Sequence, residues 1–186
     1  MVRAHTEKDW IVGIISQVFD CPNPPCEWMR GTYIECGLQV GNSFAIALTK
    51  PFKRMYGIEV NERNFQHCVN RFGGDGVIEC KFCKQRQERS LHFGSTVELL
   101  PRILNPTKHC LIFLDSHWSE GPDDEMDDRH GQCPLLEELK IIAATPWEDK
   151  PLLIVDDQRL FVGTLWKDSR VNPRFKRDQW PDLGSI

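Results

Sequence analysis

The 186-residue chain contains no apolar run near the roughly 20 residues that a membrane-spanning helix requires. Residues 1–8 are polar and lack the apolar stretch of a signal peptide. These two absences predict a cytoplasmic protein with no membrane partner. A basic excess is missing as well: the formal net charge is −4. Nucleic-acid binders usually present a basic face, so the bulk charge argues against that class, though not against a local basic patch. No internal repeat or low-complexity segment is found. A reducing compartment also excludes a disulfide framework, so the eight cysteines are read as thiols. Cys36 and Cys110, inside apolar runs, read as core.

What remains is the balance of a globular protein, with 40% hydrophobic and 27% charged residues. The length suits one domain over 1–186, with an N-terminal helix and loop (1–30) and an irregular tail (162–186). Trp10, Ile11, Ile14, Ile15, Val18 and Phe19 recur at helical spacing, and the prolines from Pro22 end that helix. Strands are predicted at 32–36, 55–60, weakly at 91–93, at 110–114 and at 152–155. Helices are predicted from Ser43, from an Asn61 cap to about Phe72, over 95–104 and over 133–144. In the last of these, Leu135, Leu136, Leu139, Ile142 and Ala143 form the apolar side. Continuous apolar strands alternating with helices predict an α/β fold. It would be Rossmann-like and doubly wound, with a mostly parallel sheet and helices on both faces.

Residues 35–43, Glu-Cys-Gly-Leu-Gln-Val-Gly-Asn-Ser, join the first strand to a helix. Gly37 and Gly41 allow a tight turn and close approach of a ligand to the backbone. Loops at the carboxyl ends of such strands are where open α/β sheets bind ligands. No Gly-Lys-Ser/Thr follows, so this is not a triphosphate loop, and Gly-x-Gly-x-x-Gly is also absent. Glu59 ends the next strand, where an acid can accept hydrogen bonds from both ribose hydroxyls of a nucleoside. The simpler alternative is a tight turn plus a surface glutamate.

Two later apolar strands end in Asp115 and in Asp156-Asp157. Parallel strands bring these carboxylates to one side, where they repel unless protons or a cation intervene. Such oxygen ligands suit Mg²⁺, Ca²⁺ or Mn²⁺. Alternatively, each aspartate caps a helix or holds a loop amide.

The motifs together resemble the class I S-adenosylmethionine-dependent methyltransferases, and within them the metal-dependent catechol O-methyltransferase group, over residues 33–161. Glu35, Gly37, Gly41 and Ser43 match that group's cofactor loop, and Glu59-Val60 its ribose-binding strand end. The Gly94-Ser95-Thr96 segment is similar to the one that covers the adenine. Asp115 to Trp118 resembles its Asp-His-Trp stretch with one residue inserted, and Asp156-Asp157 stands where the group has Asp-Asn.

The resemblance implies S-adenosylmethionine held by Glu35, Gly37, Gly41, Ser43, Glu59, Val60, Ser95, Thr96 and Asp115. It also implies one divalent metal, Mg²⁺ first, on Asp115, Asp156 and Asp157, with O-methylation of a small hydroxylated substrate. The group's lysine after its tryptophan is replaced by Ser119, so His117 is the candidate base beside Asp115. The two strands the group adds after the fifth are not both found, and a homodimer could cover the exposed edge. A non-catalytic cofactor-binding scaffold, and another metal-assisted reaction on the same fold, stand as alternatives.

Three further features carry weaker signals. Cys80 and Cys83 have zinc-knuckle spacing, with Cys21, Cys26, Cys68 and Cys133 as conceivable partners, but one such pair reads first as free thiols. Asp123-Asp124-Glu125-Met126-Asp127-Asp128 reads as a solvated loop beside the site. The tail, with Lys167, Arg170, Arg174, Lys176, Arg177 and Trp180, reads as a charged surface segment.

Overall fold

A computed structural model describes residues 31–79, 84, 86–105, 109–117, 131–156 and 177–181. The most apolar runs form the sheet. Its strands are β1 (Thr32–Cys36), β2 (Arg54–Glu59), β3 (Gly76–Glu79), β4 (Arg86–Phe93), β5 (Cys110–Leu114) and β6 (Leu152–Val155). They lie in the order β3-β4-β2-β1-β5-β6. β1 pairs in parallel with β2 and β5, β2 with β4, and β5 with β6. β3 alone runs antiparallel, against β4. From β1 the chain builds outward through β2 and β4, then returns to the other side of β1 at β5.

Among the described residues, four helices connect these strands: α1 (Asn42–Ala47), α2 (Glu62–Phe72), α3 (Thr96–Ile103) and α4 (Leu135–Ala144). Strand residues alternate between the two sides of the sheet. Tyr33, Leu111 and Phe113 pack with Phe44 and Ala47 of α1 and Cys68 of α2. Ile34, Cys36, Cys110, Ile112 and Leu114 pack with Leu100 of α3 and with Leu135 and Ile142 of α4. Helices therefore cover both faces, a coarse Rossmann-like α/β arrangement, and every residue of β1 and β5 is buried. Burying one such aliphatic or aromatic side chain is worth roughly 1.5–3 kcal/mol, so these two central strands anchor the domain.

Asn61 caps α2 as its position predicts, accepting from the Asn64 amide at 3.0 Å. Other expectations are corrected. β4 begins at Arg86, not Leu91, because its inward positions are Gln87, Arg89 and Leu91. Two buried polar residues hide the apolar alternation. Gln87 Nε2 donates to the Lys50 carbonyl, and Arg89 Nη2 donates to the Gly74 carbonyl at 3.1 Å. β3 shows no apolar pattern because it is an edge strand with little core contact. The continuous apolar run of β6 predicts burial on both faces. β6 is the last strand of the described sheet, and Leu152 is exposed. α4 starts at Leu135, after Pro134, whose missing N–H is tolerated at a helix start. Its Ala143 is exposed, whereas Glu138, outside the expected apolar side, is buried.

The tail is not wholly a surface segment either. A short 3₁₀ turn (Arg177–Gln179) precedes Trp180, which is 5% exposed and part of the α3–α4 core. Among the described residues no strand follows β6, and no helix is long and apolar enough to cross a membrane. The N-terminal helix, Cys21, Cys26, Cys80, Cys83, the acidic loop 123–128 and most of the tail lie outside the described residues.

Candidate functional site

The carboxyl ends of β2, β1, β5 and β6 finish level. Cys36 pairs with Ile58 and with Leu114, and Leu114 pairs with Val155. The ladder continues one residue further: Asp115 N–H donates to the Cys36 carbonyl at 2.8 Å, and Asp156 N–H to the Leu114 carbonyl at 3.0 Å. Asp115 and Asp156 are therefore neighbours in register, on strands about 4.8 Å apart.

At the end of β1, Glu35 turns inward. Its Oε1 accepts from Ser43 Oγ and its Oε2 from Tyr33 Oη, each at 2.5 Å. The carboxylate is fully buried and locks the loop to α1. Burial pushes its carboxyl from 4.5 up to about 7, against the opposing pull of the bonds from Ser43, Tyr33 and the Phe44 amide. Glu35 and Ser43 thus hold each other.

The glycines have a local explanation as well. Gly37 has φ 86°, and a side chain there would overlap the Asp115 carbonyl. Gly41 has φ 73°, and a Cβ would lie 2.5 Å from the Phe72 ring. Both positions need glycine so that the loop can close on β5 and α2. The parts of the loop left exposed are Gln39, Val40 and Asn42.

Glu59, 5% exposed at the end of β2, reaches back to this loop. Its Oε2 accepts from the Gln39 amide at 2.6 Å and its Oε1 from the Asn61 amide at 2.8 Å. Two main-chain donors thus fix a carboxylate beside the loop, where an acceptor for a nucleoside's hydroxyls was expected. Val60 follows it, half-buried.

Asp115 and His117 meet after β5: Oδ1 and Nδ1 are 3.4 Å apart, and both side chains are largely buried. The His117 and Trp180 rings meet in a T-shaped contact, with centroids 5.5 Å apart. Trp180 Nε1 donates to Gln132 Oε1 at 3.1 Å, and Gln132 N–H donates to Gln179 Oε1 at 3.1 Å. A narrow cleft next to this group is lined by Leu114, Ser116, His117, Glu138, Val155 and Asp156.

Ser95 precedes α3, buried and without a side-chain capping bond. Thr96 Oγ1 and Ser116 Oγ both donate to Glu138 Oε1. Burial raises the Glu138 carboxyl, opposed by the bonds from Ser116 and Thr96. Glu138, Gln132 and Trp180 were not expected as site residues. A signal for Glu138 was available: it sits three residues after Leu135 and four before Ile142, on their stripe.

The donor chemistry of Asp115 and Asp156 fits a hard divalent ion. Among the described residues, no three His, Cys, Asp or Glu side chains gather into a metal-binding group, and Asp157 lies outside those residues. Cys68 and Cys133 belong to cores on opposite faces of the sheet, so they cannot share an ion. Both are free thiols that burial pushes up to about 12.

Fold and site together define an α/β protein of Rossmann-like arrangement, with an acidic rim where the strand order reverses. No protein-family model matches the chain, and no curated protein matches its sequence.

Proposed function

We propose that the chain binds S-adenosylmethionine across the carboxyl ends of β1 and β2 and supports methyl transfer to the oxygen of a small hydroxylated molecule. The observation that carries this reading is Glu59. It is a buried carboxylate fixed by the Gln39 amide of the glycine loop, at the edge of the crevice where β1 and β5 diverge in chain order. Open α/β sheets bind ligands at such a reversal. Glu59 would receive the ribose hydroxyls, Gly37 to Gly41 and Val60 would line the nucleoside, and Ser95 and Thr96 would border the base. Glu35 and Ser43 would shape the loop rather than touch the ligand, since they bond each other.

Asp115, Asp156 and Asp157 would hold a Mg²⁺-like ion, which when bound lowers the pKa of an acceptor hydroxyl. Asp115 lies against His117 Nδ1, which favours the tautomer protonated there. The proton-accepting lone pair is then on Nε2, and Trp180 restricts the ring. His117 would take the acceptor's proton at Nε2.

Calorimetry and thermal unfolding of the full chain with S-adenosylhomocysteine test the cofactor step. At about 100 times its Kd, a native-state ligand adds about 2.7 kcal/mol of stability. The wild type should show this shift and Glu59→Ala should lose it. Asp115→Ala should largely retain binding while losing divalent-dependent turnover. A wild type indifferent to saturating ligand would overturn the proposal.

A further inference from the structure

Glu138 is an acid where helix α4 presents its apolar stripe. Leu135 and Ile142, one turn to either side, are 4% exposed, and Glu138 is 1% exposed. Its neighbour Glu137 points to solvent. Desolvating a carboxylate is costly, and the cost is offset only where donors meet it, as two hydroxyls do here. Leucine would match the apolar pattern of this stripe. The chain instead places there an oxygen on which two hydroxyls converge, one 42 residues away in sequence and the other 22.

Those hydroxyls belong to segments with separate tasks. Thr96 begins α3, directly after Ser95. Ser116 lies between Asp115 and His117, after β5. The helices α3 and α4 share one face of the sheet, and the Glu138 carboxylate bridges from them to the end of the central strand. We propose that Glu138 is a positioning residue, whose buried carboxylate ties the start of α3 to the turn after β5 so that Thr96, beside a bound nucleoside, and the Asp115–His117 turn keep one arrangement. The bridge itself is independent of what binds; its link to ligand affinity rests on the methyltransferase reading above.

The test compares Glu138→Leu, Glu138→Gln and the exposed control Glu137→Gln in the full chain. Hydrogen exchange is followed at the amides near residues 96 and 116, together with the melting temperature. Glu138→Leu leaves both hydroxyls without their acceptor and should lower the melting temperature, with a loss of protection concentrated at the two segments. Glu138→Gln keeps an acceptor oxygen and should restore protection, and Glu137→Gln should leave both segments unchanged. A purely structural role would lower protection uniformly along the chain, and that result would overturn the inference. So would unchanged protection at either segment.

If Glu138→Leu fails to fold, Ser116→Ala, which removes one hydroxyl only, should still loosen the Thr96 segment, and no such effect would refute the bridge. Titration with S-adenosylhomocysteine then separates the two proposals. A wild type that does not bind refutes the cofactor reading while the exchange result still decides the bridge. If the wild type binds, Glu138→Leu should bind about tenfold or more weakly, as expected for coupling between distinct segments. Equal affinity would refute the positioning role.

Discussion

Replacing Glu35 with glutamine should change how stability depends on pH. Glu35 is fully buried, and burial raises its carboxyl from 4.5 to about 7. A folded-state pKa above the unfolded one means that the native state holds the proton more tightly. Its contribution is fully present below the unfolded value, near 4.5, and is lost as pH rises through about 7. From about pH 5 to about pH 8 the wild type should lose roughly 2–3 kcal/mol of stability through this one group. Glutamine cannot ionise, so Glu35→Gln should lack that loss. The bonds from Tyr33 and Ser43 will be rearranged by the amide, but that offset is the same at every pH and cancels in the slope. Urea denaturation at several pH values, with the variant subtracted from the wild type, isolates the effect from other titrating groups. Two parallel profiles would show that Glu35 is ionised in the folded protein across this range, and the burial argument would fail.

Three other substitutions probe the frame around the site. Gly37→Ala forces a side chain into left-handed backbone and against β5, so the loss should exceed about 4 kcal/mol or abolish folding; a variant within about 1 kcal/mol of wild type by urea denaturation would contradict this packing. Asn61→Ala removes the bond to the Asn64 amide and should cost about 1 kcal/mol with no change in fold by circular dichroism, whereas zero cost would mean that the cap is dispensable. Trp180→Ala removes a side chain that is 5% exposed and should cost about 3–5 kcal/mol by denaturation; a loss below about 1 kcal/mol would return the tail to the surface.

Much of the frame was legible in the residues themselves. Cys110 to Leu114 and Thr32 to Cys36 are apolar enough to be read as buried strands, because central parallel strands are covered on both faces. Asn61 was readable as a cap because its side chain acts on an amide three residues away. Glu59 was legible as an acid at a strand end, since strand length and local pattern place it there. Its attachment to Gln39 was not, because that bond spans a loop and a neighbouring strand.

The tertiary structure alone decided which polar groups lie inside. Gln87 and Arg89 disguise β4, and Glu138 interrupts the stripe of α4, because each finds partners far away in the chain. Trp180 reaches the core by packing on His117, which no local pattern could reveal. Local periodicity and capping determined most elements by themselves. The pairing of distant hydroxyls, amides and carboxylates decided the site, because the free energy of a buried polar group depends on partners that only the fold supplies.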